Sequence, residues 1–289
     1  MKKLISILLV LTGLALVANA LRPARNSGEF DLVGFGRLPV LANGRIKPFD
    51  TIARGALLQF QGKQALVTPD GRKPTPVEWL LDVLFRPSLA DTYQVFEIVN
   101  PDVLSLFELQ PAAGRDNKRF AFAQLTAKIA ELERQARMAS QVESALRTPF
   151  QSATVQLYGN LVHYQRLKYT LISSGRDNFL NELLALQDKL PAGIAAVRAK
   201  QAGQPHDEAA VEAMLAQGER FDTMARTANI LVIPPPPGGP AEAWRTAGEA
   251  LLETFRTGQV SPHALAYAGL AGAWQSRRSE EHTSELQSH

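Results

Sequence analysis

Cysteine is absent from the 289 residues, and that one absence removes disulfide frameworks, thiolate nucleophiles, zinc knuckles and the C-x-x-C-H haem attachment motif together. Runs of one charge are lacking too. Acidic and basic residues are interspersed and the formal net charge is only +3, so no basic stripe marks a nucleic-acid footprint. Nucleic acid is not an expected partner. No G-x-S-x-G elbow, P-loop or dinucleotide fingerprint occurs, and Gly34-Phe35-Gly36 lacks the following glycine that phosphate cradling needs. Of the histidines in the body, His163, His206 and His263, no two stand at metal-ligand spacing on one helix face. His163 reads as a structural or solvent-facing residue. Glu131 and Glu133 fall on different faces of an exposed helix and read as solvation. With no nucleophile, base or metal set in evidence, the expectation is a chain without catalytic activity of its own, with no metal and no cofactor.

What is present begins at the N-terminus. Met1, Lys2 and Lys3 make a basic start, residues 4–17 are almost wholly apolar, and Ala18-Asn19-Ala20 has the small-x-small form of a signal-peptidase site. Export is expected, with residues 1–21 as a signal peptide or, preferably, an uncleaved signal anchor. At the other end, residues 278–289 (RSEEHTSELQSH) turn abruptly polar and match a translated sequencing adapter. They are set aside as an artefactual tail.

Between these ends the pattern predicts a mainly α-helical extracytoplasmic domain with small β-ribbon elements. Two short apolar runs within 32–47 flank Asn43-Gly44, a turn pair suited to a tight hairpin. Asp50 is placed to cap a helix over 51–60 that Gly62 ends. Thr75-Pro76-Val77-Glu78 is a capping box with proline at the first helical position, predicting a helix to Phe85. Residues 93–99 read as a strand, and Asn100-Pro101 opens a short helix. From Phe122 the period becomes helical, giving an amphipathic helix over 122–147 and a second from Thr148-Pro149. Helical pieces are expected over 179–190, 194–202 and 207–228, then an extended run over 229–233. Residues 234–240 form a proline-rich spacer. Beyond it a helical hairpin is expected over 241–277, so that 22–233 and 241–277 flank the spacer.

One string is unusual. Residues 36–50 combine turn residues with Arg37, Arg45 and Lys47, three cations suited to contact lipid phosphates or an acidic partner. FGRLPVLANGRIKPFDTIAR at 35–54, with PTPVEWLLDVLF at 74–85, FEIVNPDVL at 96–104 and RFAFAQL at 119–125, resembles the front part of bacterial cytochrome c biogenesis proteins of the CcsA (ResC) type. The resemblance spans most of 21–277. It implies system II cytochrome c maturation at the bacterial inner membrane, with this region facing the periplasm or cell exterior, and a ResB-type subunit and apocytochrome c as partners. Haem is implied for a membrane core bearing a WWD segment, which this sequence lacks, its Trp79, Trp244 and Trp274 being isolated. The resemblance thus implies an accessory part of a haem-delivery protein. The alternative from another class is the periplasmic sensor domain of a membrane receptor, to which long amphipathic helices are equally suited.

Overall fold

A computed structural model describes residues 30–109, 118–173, 178–240 and 243–287, with side chains described as far as Arg277. The expected signal anchor at 1–21 lies outside the described residues. Among the described residues the fold is mainly helical with two small antiparallel sheets. No helix among the described residues is long and apolar enough to cross a membrane.

The described residues begin with a short helix, a hairpin and a longer helix. Residues 32–37, expected in the ribbon, instead form helix α1 (Leu32–Arg37), because Asp31 caps it by accepting from the Gly34 N–H at 2.8 Å. The hairpin is β1 (Pro39–Ala42) and β2 (Arg45–Pro48), joined by Asn43 and Gly44 at φ 52° and 70°. Both left-handed positions are what a two-residue primed turn demands. Helix α2 (Phe49–Gln61) starts earlier than expected and takes no side-chain cap. Asp50 sits inside its first turn, where it accepts from Arg54 Nε at 2.7 Å, and Gly62 at φ 69° closes the helix.

The capping box forms as predicted at α3 (Pro76–Phe85), with Glu78 reaching back to the Thr75 N–H at 2.7 Å. A single turn, α4 (Pro87–Ala90), leads to β3 (Gln94–Glu97), which pairs with β4 (Arg119–Ala121), a strand the sequence pattern did not disclose. Asn100 caps α5 (Pro101–Leu106) through the N–H groups of Asp102 and Val103. The helix expected over 122–147 is broken into α6 (Phe122–Leu125), a 3-10 turn and α7 (Ile129–Ser140). The break falls at the 3-10 turn Thr126–Lys128, where the Thr126 hydroxyl donates to the Ala123 carbonyl at 2.7 Å.

Helix α8 (Pro149–Lys168) begins at a second capping box, Thr148 with Gln151. The pieces expected over 179–190 and 194–202 are one helix, α9 (Phe179–Gln201), which carries Pro191 in its interior. Leu183, Leu186, Leu190 and Ala196 are buried on either side of the proline, so packing against α10 (Glu208–Thr227) and the last helix offsets the lost backbone bond. The extended run after α10 supplies β5 (Ile230–Leu231), which pairs with β1 to give the order β2-β1-β5. Trp244 precedes its expected helix, since the cap is Thr246 with Glu249 and α11 spans Ala247–Leu252. A turn, α12 (Thr254–Thr257), ends at Gly258, and α13 runs over Pro262–Gln287.

One apolar core cluster joins Phe30, Phe35, Phe49, Trp79 and Phe96 with Phe221, Leu251 and Trp274. Residues on both sides of 234–240 therefore share one core. Arg245 exchanges backbone hydrogen bonds with Ile233 at 3.0 Å across that stretch.

Candidate functional site

Helix α2 places Thr51, Gly55 and Gln59 four residues apart, on a single stripe facing away from the buried Ala53, Leu57 and Phe60. That stripe forms one wall of a cleft of about 280 Å³. The hairpin supplies a second wall through Asn43 and Lys47. The third comes from His163 of α8 and from Asn229, which the β1–β5 pairing carries alongside the hairpin. The apolar floor is Ala42, Ile52, Ala56 and Ile230. Among the described residues, six polar side chains line the space and no carboxylate does.

The orientation of the polar wall is fixed by a relay. Gln59 Nε2 donates to Asn160 Oδ1 at 2.9 Å, and Asn160 Nδ2 returns to the Gln59 carbonyl at 3.4 Å. Gln59 therefore presents Oε1 to His163 Nδ1 at 3.0 Å, which makes Nδ1–H the donor and leaves Nε2 as the acceptor of the neutral ring. The ring also stands edge-on to Phe60, with centroids 5.4 Å apart. Burial, and then the charge of Arg166, hold the His163 pKa below its ordinary value. Gln59 also borders a second cavity of about 510 Å³, together with Asn160 and the exposed Leu58 and Val99. A third, largely apolar groove of about 520 Å³ lies between α9 and α10 over Met214, Leu215 and Phe255.

Of the three cations singled out in the sequence, Lys47 alone enters the cleft. It is half-buried, and no ion pair or hydrogen bond engages its ammonium among the described residues. Arg45 shares the pleat face of Lys47 and is exposed, as is Arg37 at the end of α1, each also without an ion pair among the described residues. Gln59, Asn160 and Asn229 escaped sequence reasoning. Polar residues and a glycine recurring every four positions on α2 were the available signal, masked by reading that helix only for its apolar face.

Buried Asp82 and partly buried Asp91 belong to the framework instead. Asp82 accepts from Tyr93 Oη at 2.7 Å and Trp274 Nε1 at 2.9 Å, while burial pushes its pKa up against those two bonds. Asp91 accepts from Tyr164 Oη at 2.9 Å and pairs with Lys168 at 2.8 Å. Among the described residues, no group of three or more histidines and carboxylates is arranged to hold a metal ion. No protein-family model matches the chain, and no curated protein is similar enough to count as a relative.

Proposed function

We propose that the chain is an accessory extracytoplasmic region of a bacterial haem-delivery protein for cytochrome c maturation, a docking part without catalytic activity. The observation that supports this reading is where the four resembling strings meet. Residues 35–54, 74–85, 96–104 and 119–125 lie apart in sequence, yet their aromatic side chains, with Phe60, form one packed unit. Phe35 stacks on Phe49 at 4.8 Å and meets Phe85 at 6.4 Å, Phe96 meets Phe122 at 6.2 Å, and Phe60, which lies between the first two strings, bridges Trp79 at 6.2 Å and Phe96 at 5.3 Å. Strings that share a single core are constrained together by packing, as expected of one inherited module. On its outside, Arg37 and Arg45 are exposed and suited to an acidic partner surface.

The test is genetic. Deleting the gene is expected to abolish covalently bound haem in the c-type cytochromes while leaving b-type haem intact, and normal c-type content in the deletion strain would overturn the reading. The second reading, a periplasmic sensor domain, is favoured by the donor-rich cleft. DNA beyond codon 277 separates the two, since a WWD segment among apolar spans supports haem delivery and a signalling module supports the sensor.

A further inference from the structure

We propose that the cleft between the β1–β2 hairpin, α2 and α8 is a binding site for a short-chain organic carboxylate. Three observations converge on that class. The first is charge. Lys47, a partly buried residue, lines the cleft with no counter-ion among the described residues, and the nearest acid in sequence, Asp50, is occupied by Arg54 at 2.7 Å. A cation at the wall of a cleft that no carboxylate lines favours an anion at that spot.

The second is the chemistry of the walls. Thr51, Asn43 and Asn229 offer a hydroxyl and two carboxamides around Lys47, whereas the amide of Gln59 is committed to Asn160 and His163 and forms a rigid boundary. The floor of Ala42, Ile52, Ala56 and Ile230 is apolar. A ligand that satisfies both halves has an anionic head and a short hydrocarbon body, which excludes bare inorganic anions as the better fit.

The third is Gly55. It sits mid-helix, where glycine is unfavourable relative to alanine, and its φ is not left-handed. A Cβ built there would meet nothing within 4 Å. Neither backbone conformation nor close packing requires a glycine at this position. What its missing side chain does is keep the wall of the cleft open.

The experiment is a titration of the purified chain with butyrate, followed by calorimetry and by NMR of the His163 ring and the Thr51 amide, with inorganic phosphate as the comparison. Saturable butyrate binding with a Kd on the order of 1 mM is expected, with phosphate weaker. Lys47→Met should weaken butyrate at least tenfold and Gly55→Leu should abolish it, while Arg45→Met leaves it unchanged. Far-UV circular dichroism reports the fold of each variant. Lys47 makes no ion pair or side-chain hydrogen bond among the described residues that its loss would break, and methionine keeps its aliphatic stem, so that variant keeps the test decisive even where Gly55→Leu misfolds. Absence of butyrate binding, binding that survives Lys47→Met, or tighter binding of phosphate than of butyrate would each overturn the assignment. None of these outcomes bears on cytochrome maturation, which is read from haem content.

Discussion

The indole Nε1 of Trp274 donates to Asp82 Oδ1 over 2.9 Å and so fastens the last helix to α3 across 192 positions of sequence. The other carboxylate oxygen takes the Tyr93 hydroxyl at 2.7 Å, and Arg86, 3.8 Å from Asp82, donates in turn to the Gln275 carbonyl at 2.8 Å. Asp82→Leu leaves a buried N–H and a buried hydroxyl without their acceptor, and is expected to destabilise by roughly 3 kcal/mol. Trp274→Phe removes one donor, and the double variant should show coupling of about 1–2 kcal/mol in a urea-denaturation cycle. Additive losses would mean that the bond does not hold α13 in place.

Lys168 and Asp91 make the second framework node. The lysine side chain is 7% exposed and its ammonium lies 4.4 Å from the centre of the Phe122 ring, so it is shielded from water and held on three sides. Lys168→Met keeps the aliphatic stem but strands the Asp91 charge, and about 3–4 kcal/mol should be lost. Adding Asp91→Asn should recover part of that loss, because the uncompensated charge disappears. A double variant no more stable than Lys168→Met would refute the account.

Much of this framework was readable in advance, and the physical reason is locality. Thr75 with Glu78, Thr148-Pro149, Asn100-Pro101 and Asn43-Gly44 act within four residues, and each forms the cap or turn its chemistry requires. What escaped was set by distant partners. Strand β4 exists because Phe96 and Glu97 pair with Phe120 and Arg119, and α9 continues through Pro191 because α10 and α13 pack along it. The cleft was less legible still. Lys47 was visible as a cation, but its placement beside Asn229 follows from the β1–β5 pairing across about 190 residues, and no local pattern encodes that.

Two glycines make opposite predictions. At Gly248, on α11, a Cβ would lie 2.2 Å from the Ala225 N and 2.6 Å from the Phe221 carbonyl oxygen, both backbone atoms of α10 that cannot swing aside. Gly248→Ala should therefore destabilise by roughly 2–3 kcal/mol by forcing the two helices apart. At Gly55 the same change meets open space and should stabilise by about 0.5–1 kcal/mol through helix propensity. Thermal melts of the two variants should move in opposite directions, and a loss of stability in Gly55→Ala would contradict the open geometry.

His163 gives the fold a pH dependence whose sign is fixed by its environment. Burial and Arg166 lower its pKa in the folded chain, so the unfolded chain, with an ordinary histidine near 6.5, binds the proton more readily. Its contribution is complete above the unfolded value. It declines as pH falls from there towards the folded pKa, below which it levels off. Exposed His206 works in the opposite sense, since its backbone bond to Gln204 and its contact with Glu208 raise its pKa. The comparison must therefore be made between variants of one residue. His163→Gln keeps a polar group beside Gln59 and removes the titration, so its urea midpoint should change less than that of the unaltered chain between pH 8 and pH 5. Equal slopes for the two proteins would mean that His163 is not the group that resists protonation in the fold.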